Sequence, residues 1–211
     1  SRLYDLSTMP STVLVDRDSA WVYLVDDLAW LDGGKRFLWV SERDGWEHAY
    51  VVSRDGKDIR LVTPGAFDVV QVVSVDAKGG WLYYIASPDD PTQRYLYRSR
   101  LSGKGKAERV SPAGQPGAHG YNASPNARWA MHTYGRFGTP SVTELVRLPS
   151  HSVIKTLVDN ATLRARVAAL RRGPSEFFKV DIGDGVTLNG WIMKPVDFDS
   201  TRKYPILFHV Y

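Results

Sequence analysis

Residues 35–62 read KRFLWVSERDGWEHAYVVSRDGKDIRLV. Within them lie three short strand-like runs, Arg36-Phe37-Leu38-Trp39-Val40, His48-Ala49-Tyr50-Val51-Val52 and Asp58-Ile59-Arg60-Leu61-Val62. Runs of five rich in Val, Tyr, Phe and Trp suit strands, where β-branched and aromatic side chains pack on a pleated surface. Asp55-Gly56 separates the second and third runs as a tight turn, because glycine tolerates positive φ. The pattern recurs. Trp81 to Ile85, Arg94 to Arg98 and Ala107 to Val110 form a second set, and Trp129 to Thr133, Val142 to Val146 and Val153 to Leu157 form a third. Phe37 to Trp81 is a step of 44 residues and Trp81 to Trp129 a step of 48. A turn cluster and a shorter run precede each set: Leu28 to Leu31, Val69 to Val75 and Gly120 to Ala123. That makes four strands per unit. Periods of roughly 40–50 residues with four strands each predict the blades of a β-propeller, whereas a sandwich, the structural alternative, has no reason to repeat in fours. Leu3 to Leu6 and Thr12 to Val15 read as the last two strands of a preceding blade. The expectation is a mainly β chain holding about three and a half four-stranded blades.

Composition narrows the function classes. The chain has 211 residues, 43% of them hydrophobic and 12% aromatic, enough to bury a sizeable core in one or two domains. Lys and Arg number 27 against 23 Asp and Glu, and the charges are scattered, so an ordinary solvated surface is expected rather than a nucleic-acid footprint. The absence of cysteine excludes disulfides, thiolate catalysis and cysteine-ligated zinc. No apolar run approaches the ~18 residues of a membrane span, and the first residues are not a signal peptide. His48, His119, His132, His151 and His209 show no H-x-x-x-H spacing, so no metal is expected. His48 reads as a hydrogen-bonded structural residue, and the aromatic runs around Tyr83 and Tyr97 read as packing between sheets.

One helix is expected near residue 160. Asp159 or Asn160 can cap it, Leu163, Val167 and Leu170 line one face, and Gly173-Pro174 ends it. Beyond it, Phe178, Val180 and Ile182 alternate with polar residues, Asp184-Gly185 supplies a turn, and Val186, Leu188 and Ile192 resume the alternation. Tyr204-Pro205 leads into Ile206 to Tyr211, an apolar run suited to a strand covered on both faces.

The order hairpin, then Lys194-Pro195-x-x-Phe198-Asp199, then Lys203-Tyr204-Pro205-Ile206-Leu207-Phe208-His209-Val210-Tyr211 resembles the opening of the catalytic domain in dipeptidyl peptidase IV-like serine peptidases of the prolyl oligopeptidase group. The resemblance is close over roughly the last 50 residues and looser upstream. It implies that residues 1–158 are late propeller blades, 159–175 a connector helix and linker, and 176–211 the first strands of an α/β-hydrolase domain. It further implies a protein that releases N-terminal dipeptides ending in proline or alanine by acyl transfer to a serine, with the propeller restricting access. Such a protein takes peptides with a free amino terminus, works as a homodimer, needs no cofactor and lies in the periplasm or outside the cell, with the cytoplasm as the other possibility. No G-x-S-x-G occurs in the 211 residues. On this resemblance the serine, aspartate and histidine lie after the position matching Tyr211, so the chain alone is expected to be inactive.

Tyr211 is the catalytic residue the resemblance carries over: its phenol offers a hydrogen bond to the oxyanion of the tetrahedral intermediate. Trp21-Val22-Tyr23 with Asp26-Asp27 echoes the family segment whose paired glutamates bind the substrate's ammonium, but Leu24-Val25 break the spacing, and a turn with a strand start is the better reading. Tyr23 matches a loop that lines the pocket for the substrate's second residue, where the family often has an aromatic followed by arginine and this chain has Tyr23-Leu24. A non-catalytic propeller used for binding, or an acylaminoacyl or oligopeptidase relative, are the other readings of the same residues. Open blade edges predict an association-prone isolated chain.

Overall fold

The computed structural model describes residues 2–5, 11–23 and 28–209. They divide into two compact units, residues 1–160 and 161–211.

The first unit is built almost wholly of antiparallel sheet. A hairpin of β1 (Arg2–Asp5) and β2 (Ser11–Val15) comes first. A four-stranded sheet follows, in the order β3 (Ala29–Leu31), β4 (Arg36–Ser41), β5 (His48–Ser53) and β6 (Ile59–Leu61). The second sheet is a meander of β7 (Val69–Asp76), β8 (Trp81–Ala86), β9 (Tyr95–Arg100) and β10 (Glu108–Arg109). The third consists of β11 (Ala118–Ala123), β12 (Trp129–Arg136), β13 (Thr139–Arg147) and β14 (Ser152–Val158). Each set of four expected from the repeat is therefore one four-stranded antiparallel sheet.

The turns follow from local chemistry. Gly56 closes the β5–β6 connection by donating to the Ser53 carbonyl at 2.9 Å, while the Asp55 carboxylate accepts from the Ser53 hydroxyl and from the Lys57 amide. Its φ of +72° and its close approach to the Val13 carbonyl both exclude a side chain there.

Burial explains why the middle strands look apolar throughout. In β4, β5 and β8 both faces are covered, so nearly every residue is buried. Leu38, Ala49 and Val51 of the first sheet meet Leu82, Tyr84 and Tyr97 of the second in one core. Tyr83, Ile85 and Leu96 on the second sheet's opposite face meet Tyr121, Ala130 and Val146 of the third. Leu14 packs with Phe37, Trp39 and Val52 on the remaining face of the first sheet. The aromatic runs are thus core between sheets. Inside that core the Tyr84 hydroxyl meets Ser99 Oγ at 3.0 Å, which satisfies the one polar atom this large ring carries inward.

The second unit holds α1 (Ala161–Ala169) and a hairpin of β15 (Ser175–Asp181) and β16 (Thr187–Met193). The helix stops at Ala169, before the expected Gly173-Pro174, and it buries none of its residues: Leu163 and Leu170 are exposed. Asn160, expected as its cap, sits at φ +52° and donates its amide to the Ser141 carbonyl at 2.8 Å. The hairpin register pairs Val180 with Leu188 and Phe178 with Gly190 on one face, where any side chain at 190 would strike the Phe178 ring. Ile206, Leu207 and Phe208 form no strand and are exposed. A strand exists only by hydrogen bonding to a neighbour, and among the described residues this segment has none.

Leu96→Ala, inside the core between the second and third sheets, is expected to destabilise the chain by about 2–5 kcal/mol. Leu188→Ala on the exposed hairpin should cost within about 0.5 kcal/mol. Urea midpoints of the two variants check the contrast, and equal midpoints would contradict the assignment of the core.

Candidate functional site

Tyr23 stands at a cleft formed where the chain leaves β2 and passes beside the end of β4. The floor is organised by Asp16, the residue directly after β2. Its carboxylate accepts from Trp39 Nε1 at 2.6 Å, from Ser41 Oγ at 2.9 Å and from Arg43 Nη2 at 2.5 Å. Strand alternation explains the first two donors: Trp39 and Ser41 are two apart on β4 and project to the same face. Arg43 follows in the turn and also donates its Nε to Ser41 Oγ at 3.1 Å, with the guanidinium 5.2 Å from the centre of the Tyr50 ring. The Ser41 hydroxyl therefore gives its one proton to a carboxylate and takes two hydrogen bonds from Arg43, counting the backbone amide at 3.3 Å. It is a link in a scaffold, buried and spoken for, without a base to make it a nucleophile.

Asp18 shapes the rim. Its carboxylate accepts from the Ala20 amide at 2.7 Å and the Trp21 amide at 3.2 Å, and these bonds hold the carboxyl below its ordinary value. The turn sends Trp21, Val22 and Tyr23 along the cleft opposite Ser41, Glu42, Arg43 and Glu47. Trp21 is 74% exposed and Tyr23 65%. On the far side of the Arg43 turn, His48 is buried and its Nδ1 lies 2.8 Å from an Asp44 carboxylate oxygen. Burial opposes the charge on Asp44, but its hydrogen bonds, that of His48 foremost, outweigh this and keep the carboxyl below its usual value. His48 therefore bonds as expected of a structural histidine.

The arrangement places two exposed aromatic side chains along a cleft that also carries the anchored Arg43 guanidinium. Among the described residues that line it there is no histidine to activate a serine. Tyr211 and Asp26-Asp27 lie outside the described residues. Among the described residues no group of three or more His, Asp or Glu is arranged to hold a metal ion. A larger cavity of about 310 Å³ between the first two sheets carries Arg36, Arg60 and Arg100, and each guanidinium is already engaged. Arg36 pairs with Asp32, Arg60 with Asp58 at 3.2 Å, and Arg100 lies 3.8 Å from the centre of the Trp81 ring.

Asp16 and Arg43 carry no motif in the sequence, since their meeting depends on strand register across 27 positions. The sequence reading also missed His119, His132 and His151, which the third sheet gathers into one buried cluster. They are 13 and 19 residues apart, a separation that only cross-strand pairing and the β13–β14 turn can close. The signal available was that His119 and Tyr121 alternate on one strand face.

Residues 2–141 match the family described as "Dipeptidyl peptidase IV (DPP IV) N-terminal region". The chain belongs to this dipeptidyl peptidase IV family. Similar proteins include a probable dipeptidyl-aminopeptidase B of Emericella nidulans, 28% identical over 92% of this chain and 22% of its own length. A probable dipeptidyl peptidase 4 of Aspergillus flavus is 26% identical over 98% of this chain and 28% of its own. Among solved structures, Porphyromonas gingivalis dipeptidyl peptidase 4 superposes with a TM-score of 0.82 at 32% identity, covering 93% of this chain and 27% of that one. The chain thus spans about a quarter of the length of the relatives it matches.

Asp16→Ala would leave the Trp39 indole, the Ser41 hydroxyl and Arg43 without their shared acceptor. The expected loss is about 1–3 kcal/mol of stability, while Ser41→Ala, which spares the Trp39 and Arg43 bonds to Asp16, should cost about 1 kcal/mol. Thermal unfolding of both variants measures it, and an Asp16→Ala chain as stable as the wild type would remove Asp16 as the organising residue.

Proposed function

We propose that this chain is part of a serine-type dipeptidyl peptidase that removes N-terminal dipeptides ending in proline or alanine from peptides with a free amino terminus. The family match over residues 2–141 carries the reading, because the relatives that share it are named as dipeptidyl peptidases. In this reading the three four-stranded sheets and the leading hairpin are late blades of a β-propeller that restricts access to the reaction centre. Residues 159–175 connect them to an α/β-hydrolase domain that begins at 176–211. The second unit suits that role. Its hairpin exposes Phe178, Val180, Leu188 and Ile192, an apolar face that needs further sheet or helix to cover it. Ile206 to Tyr211 becomes a strand once it has neighbours on both sides.

On this reading one residue takes part in the chemistry and one in binding the substrate. Tyr211 donates its phenol hydrogen to the oxygen that becomes negative as the serine attacks the peptide carbonyl, stabilising the transition state more than the bound substrate. Tyr23 lines the pocket for the substrate's second residue, beside the Arg43 guanidinium fixed by Asp16. The working protein is a homodimer, and its activity requires no metal or cofactor.

The intact protein should hydrolyse a Gly-Pro chromogenic amide. Tyr211→Phe should lower kcat by about 10²–10³ with little change in KM. Tyr23→Ala should raise KM several-fold and leave kcat nearly unchanged. An intact protein without turnover would overturn the proposal in favour of a non-catalytic binding propeller.

A further inference from the structure

Beneath the third sheet two chains of hydrogen bonds run through buried imidazoles, and their donors and acceptors can be assigned from groups whose roles are fixed. The first begins at a backbone amide of the second sheet. Leu96 N–H donates to Ser111 Oγ at 2.7 Å, Ser111 Oγ lies 3.0 Å from Tyr121 Oη, and Tyr121 Oη lies 2.8 Å from His151 Nε2. With the serine donating to the tyrosine and the tyrosine to the imidazole, every member is satisfied with His151 neutral.

The second chain begins at a carbonyl, which can only accept. His119 Nε2 lies 2.8 Å from the Gln115 carbonyl oxygen and must carry the hydrogen. In a neutral ring His119 Nδ1 is then a lone pair, so His132 Nε2, 2.9 Å away, must be the donor between them. That leaves His132 Nδ1 as a lone pair. It is buried, it makes no hydrogen bond, and it faces Glu144 Oε2 at 3.4 Å. His132 and Glu144 are directly paired across β12 and β13, so the register itself sets two acceptors against each other. Three contacts, from Gln115 to His119, from His119 to His132 and from His132 to Glu144, need three hydrogens. Two neutral imidazoles supply two.

We propose that His132 Nδ1 and Glu144 Oε2 share one titrating proton, taken from solvent on acidification and released at alkaline pH, so that the β12–β13 pairing inside the third sheet is a pH-sensitive device. The His132 side chain is almost wholly covered, and the Glu144 side chain, 18% exposed, is the route by which the proton exchanges. The surroundings favour a proton held jointly over a lone imidazolium. From β11, His119 and Tyr121 face the pair, from β12 Tyr134, from the β13–β14 turn His151, and from β14 Thr156 lies across from Glu144. From the second sheet come Ser111, Tyr95 beside His119, and Arg109, whose guanidinium covers the Tyr95 ring and donates to the Ser111 and Pro112 carbonyls. Arg109 and the neighbouring imidazoles disfavour additional positive charge. Burial, then His151 and His119, push His132 down to about 3, so the imidazole on its own stays neutral throughout the range from pH 8.5 to 5.

Glu144→Gln separates this arrangement from a merely structural one, because the glutamine amide donates a permanent hydrogen to His132 Nδ1. At pH 8.5 the variant should melt about 2–4 °C above the wild type, the gain of one buried hydrogen bond in a chain of this size. Below about pH 6.5 the unfolded chain protonates His132. The folded variant cannot follow, whereas the folded wild type takes up its shared proton. The advantage should therefore shrink to zero or reverse by pH 5. A difference that is constant from pH 5 to 8.5, or a variant less stable at pH 8.5, would overturn the proposal. Nitrogen-15 spectra of histidine-labelled wild type give a readout independent of any variant. They should show the Nε2–H tautomer at His119 and His132, and a His132 Nδ1 resonance that moves between pH 8.5 and 5. A stationary His132 Nδ1 signal, or the Nδ1–H tautomer at His119, would overturn it equally.

Discussion

A sheet buried on both faces cannot stand alone, and this constraint governs the first unit. Leu38 and Val51 point to one side of their sheet, Phe37 and Val52 to the other, so each side requires a separate partner. The second sheet repeats the situation, with Tyr84 and Tyr97 turned toward the first sheet and Tyr83 and Leu96 toward the third. Hydrophobic burial between successive sheets is therefore the main cohesive force, and it is non-directional. It stacks the sheets without saying how one is placed against the next.

Polar contacts at the joints supply that direction. At the first joint Asp16, carried by the leading hairpin, gathers Trp39, Ser41 and Arg43 and so fixes where the chain beyond β2 crosses the sheet. At the last joint the Leu96 amide reaches Tyr121 through Ser111, while the His119 amide donates to the Arg94 carbonyl at 3.0 Å. Hydrogen bonds inside a core contribute modestly when made and cost much more when one partner is missing, so they select one arrangement among several of similar burial. The same reasoning makes the His132–Glu144 contact the sensitive point of the third sheet. The cleft at Tyr23 depends on the Asp16 joint in turn, because Arg43 is held in place from beneath.

In the first unit the number of strands, their grouping in fours and most of their bounds were legible in the sequence, whereas the run from Ile206 expected as a strand forms none among the described residues. Short strands with turn residues between them are local features: Gly56 is needed where φ is positive, and Phe37, Tyr84 and Ala130 lie on strands whose apolar character shows at a glance. The helix was less legible, because Leu163, Val167 and Leu170 satisfy the spacing of an amphipathic face while Leu163 and Leu170 remain exposed. Periodicity reports which residues could be buried together, and burial needs a second surface.

What the sequence determined by itself was the family, through residues 2–141, and the repeat of four short strands, because both reside in local pattern. Tertiary structure alone decided that Asp16 accepts three hydrogen bonds, that Tyr23 opens onto the Arg43 turn, and that three histidines scattered over 33 positions converge under one sheet. These contacts join residues whose separation along the chain carries no period, and strand register, set by many backbone hydrogen bonds together, is what brings them within reach.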